Sequence, residues 1–208
     1  LLNFNSLEVD LFFRTEIRSH ISEQMRPPYW TGELFHVYAD RMEREVFASL
    51  LEMIGANREN PGALSIYLHL FGQLIKYKHR PELASYLAPY LEDPFPRKVH
   101  AAAIVSLYYH KQFSHKARES FESFLTSPNI EDRILVCDIV CELMLKDFIP
   151  FVLNVAQDLN FKNHRVLLSL LKLGEQRAHR WLVECLSELP DKEVMRALWA
   201  LSSHPHAM

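Results

Sequence analysis

The stretch Leu91-Glu92-Asp93-Pro94, which leads into Val99-His100-Ala101-Ala102-Ala103-Ile104-Val105-Ser106-Leu107, decides how this chain reads. A turn built on Asp and Pro is followed by a helix of small apolar residues. The same phrase recurs downstream. Ser127-Pro128-Asn129 leads into Arg133-Ile134-Leu135-Val136-Cys137-Asp138-Ile139-Val140. Asn160-Phe161-Lys162-Asn163 leads into His164-Arg165-Val166-Leu167-Leu168, and Leu189-Pro190-Asp191 into Lys192-Glu193-Val194-Met195-Arg196-Ala197-Leu198. The anchors His100, Arg133, Arg165 and Arg196 lie 33, 32 and 31 residues apart. A fainter copy opens at Asn60-Pro61-Gly62 and runs from Ala63 to Leu74.

A second helix follows each anchor helix, expected over 81–92, 114–126, 148–158 and 176–188. Their apolar residues fall at helical spacing: Leu83, Leu87 and Leu91; Phe121, Phe124 and Leu125; Trp181, Leu182, Cys185 and Leu186. Pro61 and Pro81 fall at first-turn positions, where a missing N–H costs no hydrogen bond. Gly174 ends an anchor helix. A helix pair repeated every 31–33 residues buries its apolar face only against its neighbours. The expected fold is therefore all-α, a right-handed α-solenoid of about four and a half helix pairs.

Residues 1–59 read as a two-helix N-terminal cap and 60–208 as one continuous array. The first cap helix is expected from Ser6 to Met25, stopped by Pro27-Pro28. The second is expected from Gly32 to Ile54, with Leu34, Val37, Phe47, Leu50, Leu51 and Ile54 inward. A last helix over 192–203 has no second helix after it.

Composition narrows the class. The 208 residues are 49% apolar and 24% charged, as in an ordinary packed protein, with only five glycines. The formal charge is −3, from 23 basic and 26 acidic residues, which argues against nonspecific nucleic-acid binding. Cys137, Cys141 and Cys185 are odd in number and lie in apolar helical runs, so a reducing, cytoplasmic setting is expected. No signal peptide and no apolar run of membrane-spanning length is apparent. A start at Leu1 rather than Met leaves open that this is a piece of a larger protein.

The Asp-Pro turn, the Val-x-Ala-Ala-Ala-x-x-x-Leu helix and the short second helix resemble HEAT-like repeats over about residues 60–204. The copy at 91–107 is nearest that pattern; the others share its rhythm more than its letters. His100 stands where the family usually has arginine, and Arg133 restores it in the next copy. A long helical lead-in before HEAT-like repeats is also similar to the soluble extension of some bacterial transporter-like membrane proteins. That likeness rests on Arg14-Thr15-Glu16-Ile17-Arg18 and Arg44-Glu45-Val46-Phe47-Ala48-Ser49-Leu50-Leu51.

The chemistry-bearing residues do not assemble into a reaction. Cys137 and Cys141 share a helix face, but zinc thiolate sites pair a C-x-x-C turn with a second ligand pair, so no metal is expected. The His-Glu dipeptides of HEAT-like di-iron hydroxylases are missing, as are a nucleophile elbow, H-E-x-x-H and a phosphate-binding loop. Asp132 reads as support for a helix N-terminus rather than as an acid–base group. A DNA glycosylase on HEAT-like repeats needs a basic groove, whereas the second helices here carry mixed charge. Lys76, Lys78, His79, Arg80, Arg97, Lys98, Lys111, Lys116 and Arg118 form a mildly basic middle region, suited to an acidic protein segment, to anionic lipid headgroups or simply to a solvated rim.

These readings converge on a non-enzymatic scaffold without cofactor. It is expected to bind a protein or peptide through the concave surface formed by second helices. The expected binding residues are Tyr86, Lys116, Glu119, Glu122, Asn154, Arg177, Arg180 and Glu184. No nucleic-acid partner is expected. The alternative is a soluble regulatory domain of a larger, transporter-like membrane protein, the chain itself spanning no membrane.

Overall fold

A computed structural model describes residues 42–92 and 95–187, together with Thr15, Ala39, Asp40 and Val194. Among the described residues the chain is all-α, without strands. The α-helices are α1 (Glu43–Ala56), α2 (Pro61–Tyr77), α3 (Arg97–Leu107), α4 (Ser114–Leu125), α5 (Ile130–Glu142), α6 (Ile149–Asp158), α7 (His164–Leu173) and α8 (Ala178–Leu186). Three short 3-10 turns cover Pro81–Tyr86, Ala88–Leu91 and Lys146–Phe148. The helices expected over 6–25 and 192–203 lie outside the described residues, save Thr15 and Val194, as does the Asp93-Pro94 turn. The chain divides into two compact units, Leu1–Ser120 and Phe121–Met208, the boundary falling within α4.

Asparagines start the helices. Asn60 Oδ1 accepts from the Ala63 N–H at 3.2 Å to open α2, and Asn129 Oδ1 from Glu131 at 2.9 Å to open α5. Asn163 Oδ1 accepts from both Arg165 and Val166 to open α7. Each such cap contributes about 1 kcal/mol. Asp132, in the first turn of α5, takes the Ser127 hydroxyl at 2.7 Å, while Asn129 supplies the cap.

Four helices stop by the same backbone device. The residue just past the end turns left-handed, and its N–H and the next one bond back to carbonyls of the last turn. After α2 it is His79 (φ 53°), with Arg80 N–H to the Ile75 carbonyl at 3.0 Å. After α5 it is Met144 (φ 54°), with Leu145 to Val140 at 2.9 Å. After α6 it is Asn160 (φ 51°), with Phe161 to Ala156 at 2.8 Å. After α7 it is Gly174 (φ 98°), with Glu175 to Leu170 at 2.9 Å. Phe161 is also left-handed (φ 55°), and its ring stacks on Trp181 with centroids 4.3 Å apart.

Two expected helices are interrupted. Residues 81–91 form two 3-10 turns rather than one α-helix. Pro89 lies inside that span, where it removes an amide donor and its ring collides with the carbonyl four residues back. The helix expected over 32–54 is broken before Glu43. Ala39 is helical, Asp40 lies in a turn, and Met42 stands outside the helix at φ −137°. Here the tertiary contacts of Asp40 and Glu43, described below, override local propensity.

In the first unit α2 packs against α1 on one side and α3 on the other. Phe71, fully buried, meets Phe47 of α1 edge-on at 5.4 Å. Toward α3 the contact is backbone-close. A Cβ built on Gly72 would lie 2.4 Å from Ser106 Cβ and 3.1 Å from its Cα. Ser106 Oγ donates to the Leu68 carbonyl of α2 at 3.3 Å and to Ala102 of its own helix at 2.9 Å. His100, buried in the first turn of α3, places Nε2 3.0 Å from the Glu92 carbonyl. A carbonyl only accepts, so that nitrogen carries the proton.

In the second unit α7 packs against α5, α6 and α8. Its Val166, Leu167 and Leu170 are fully buried, as are Val136 and Val140 of α5 and Val152 and Val155 of α6. Phe121 meets Phe148 edge-on at 5.5 Å.

Candidate functional site

The eight expected binding residues divide between the units, three in the first and five in the second. All eight are exposed. In the first unit Tyr86 ends a 3-10 turn rather than projecting from an α-helix. Its side chain is 53% exposed and its ring meets Phe71 edge-on at 6.5 Å, so the core fixes one edge and leaves the rest to solvent. Lys116 is ion-paired with Glu92. Glu119 lies one turn along α4 from His115, at 3.3 Å.

In the second unit Glu122 lies on α4 and Asn154 on α6. Arg177 precedes α8 as its N-cap residue and forks onto Glu175 at 2.8 and 2.9 Å. These bonds hold the Glu175 carboxyl below the usual carboxylate range and raise the Arg177 guanidinium above its own. The same guanidinium lies 6.0 Å over the Trp181 ring. Arg180 bridges to Glu184 at 3.0 Å along α8. The structure thus joins Arg180 with Glu184 and does not join Tyr86, Lys116 and Glu119 to one another by any such bond.

Sequence reasoning missed two links between helices. Arg133 of α5 reaches Asp158 at the end of α6 at 2.7 Å and lies over the Phe151 ring at 5.9 Å. Arg165 of α7 pairs with Asp138 of α5. The sequence signal was present in the anchor arginines, but their partners come from other helices and have no fixed spacing.

Three cations of the basic middle region hold carboxylates. Lys78 pairs with Asp40 at 2.5 Å, Arg80 with Glu43, and Lys116 with Glu92. Arg118 lies over the Tyr108 ring at 5.1 Å. Cys137 and Cys141 are unreactive by environment. Burial pushes the Cys137 thiol up to about 12 and the Cys141 thiol up to about 11. Among the described residues no group of three or more His, Cys, Asp or Glu is placed to hold a metal ion. No described helix is long and apolar enough to cross a membrane.

Compared with known proteins, the chain matches no family model, no curated protein and no solved structure.

Proposed function

We propose that this chain is a non-enzymatic interaction scaffold, a right-handed α-solenoid of about four and a half HEAT-like helix pairs behind a two-helix cap. One observation carries the reading: first helices of successive copies pack directly on each other. Within the first unit α2 lies on α3, and within the second α5 lies on α7. In each case a side chain reaches one copy back, Ser106 to Leu68 and Arg165 to Asp138. Stacked pairs need this packing to bury their apolar faces, and it leaves the second elements free to carry recognition.

The partner is a protein or peptide. Tyr86, Arg177 and Arg180 are of the residue types that dominate binding energy at protein interfaces, and Asn154, Glu119, Glu122, Lys116 and Glu184 supply polar complementarity. Three buried cysteines outside any disulfide go with a reducing cytoplasmic setting.

The reading is tested by site-specific photo-crosslinking of the full chain in cells that express it. A photoreactive phenylalanine is placed at Tyr86, Asn154 or Arg180 on second elements, and at Glu131 or Glu142 on α5. The expected result is one shared adduct from the second-element positions, weakened tenfold or more by Arg177→Glu with Arg180→Glu. Adducts from the α5 positions alone, or an adduct indifferent to the charge reversal, would overturn the proposal.

A further inference from the structure

From Leu34 to Ile54 the sequence has neither proline nor glycine. The run Ala39-Asp40-Arg41-Met42-Glu43-Arg44-Glu45 consists, apart from Asp40, of strong helix formers. Yet the helix does not run through. Asp40 is in a turn, Met42 is non-helical, and α1 starts at Glu43. The residues flanking the break are held from outside. Asp40 accepts the Tyr77 hydroxyl at 3.0 and 3.2 Å on its two oxygens and the Lys78 ammonium at 2.5 Å. Glu43 accepts the Arg80 guanidinium. All three donors belong to the end of α2 and the left-handed stop that follows it. The hydrogen bond to Asp40 raises Lys78 above the usual lysine range, and that to Glu43 does the same for Arg80.

We propose that this cluster is a latch on a two-state element: latched, Asp40 and Met42 stand outside the helix; released, the helix continues unbroken from Ala39 into α1. Adding a residue to an existing helix is nearly neutral in free energy, so weak forces decide between the states. Exposed ion pairs are individually weak, but two of them with a tyrosine hydroxyl, acting over three residues, are of the right size. Such pairs are screened by salt, so ionic strength moves the balance toward the unbroken helix. The latch gives the chain a charge-controlled choice of direction as it enters α1.

The states differ in which amides are hydrogen-bonded. With the break in place, Glu43, Arg44 and Glu45 form a first turn, whose N–H groups have no acceptor within the helix. In the unbroken helix they bond to the carbonyls of residues 39, 40 and 41. Amide hydrogen exchange is therefore read on the full chain carrying Lys78→Gln with Arg80→Gln, which leaves residues 39–45 untouched. Exchange at Glu43, Arg44 and Glu45 is expected to slow at least tenfold, and to slow likewise in the unmodified chain between 50 and 500 mM NaCl. A second variant, Asp40→Asn with Glu43→Gln, approaches the same state from the other partner. Unchanged or faster exchange at these amides in both variants overturns the latch, because loss of a merely stabilising contact frays the helix start.

Discussion

The two units solve one packing problem differently. In the first, α2 and α3 meet closely where Gly72, lacking a side chain, admits the small Ser106, whose hydroxyl bonds to the Leu68 carbonyl. In the second, α5 and α7 are tied by the Arg165–Asp138 pair. Their second elements differ too. Pro89 splits residues 81–91 into two 3-10 turns, whereas Pro150, in the first turn of α6, leaves that helix intact. In both units two helices that open some thirty residues apart meet, and they touch in different ways. A proline's consequence follows from its offset from the helix start.

The comparison can be probed from its largest effect downward. All three cysteines lie in the second unit, so thiol labelling reports on that unit alone. With thiols raised to about 12 and about 11, Cys137 and Cys141 in the native protein at pH 8 should react with iodoacetamide on the order of a hundred- to a thousand-fold more slowly than an exposed cysteine. Peptide mapping after timed quenching measures this; rapid labelling would mean that α5 opens readily.

In the first unit, Gly72→Ala should cost about 1–3 kcal/mol, which lowers Tm by several degrees. The neighbour at fault is the Ser106 side chain, both its Oγ and its Cβ. A double-mutant cycle should therefore show favourable coupling of Gly72→Ala with Ser106→Gly and a smaller one with Ser106→Ala.

The helix stops should respond alike in both units, because the device is local. His79→Gly in the first unit and Met144→Gly in the second should each stabilise by about 0.5–1 kcal/mol, while Gly174→Ala should lose about 1 kcal/mol. Chemical denaturation of each variant reads these values. A gain confined to one unit would break the equivalence.

The smallest effect concerns acid. Glu175, its carboxyl lowered from 4.5 by Arg177, contributes stability that is present above that ordinary value and is lost as pH falls through its lower folded value. Arg177→Gln should remove that acid-side slope from Tm measured against pH.

The anchor rhythm was legible because helical periodicity and Asn or Pro turns are local signals. The asparagines of the turns do open α2, α5 and α7, and Gly174 does end α7. Met144 gave no such signal and His79 only a weak one, histidine being modestly enriched in the left-handed region; the hydrogen bonds of the last turn impose it. Nor did the pattern foresee the break before Glu43, which Tyr77, Lys78 and Arg80 enforce from 37 or 38 residues away. The same limit applies to the candidate surface. Periodicity put Asn154, Arg180 and Glu184 on exposed helix faces, but it could not foresee that Tyr86 would stand on a 3-10 turn. That depended on Pro89, which falls inside the helix expected over 81–92.

The helix stops also bear on how this sequence can drift. Where backbone bonds write the stop, the residue occupying it is nearly free to change, at a cost no larger than the left-handed preference of one side chain. Positions 79, 144 and 160 are therefore open to substitution, while Gly72, which looks like a dispensable gap within α2, is closed to everything larger. Counting glycines to find where these helices end would misplace most of them, and would overlook the one glycine that the packing requires.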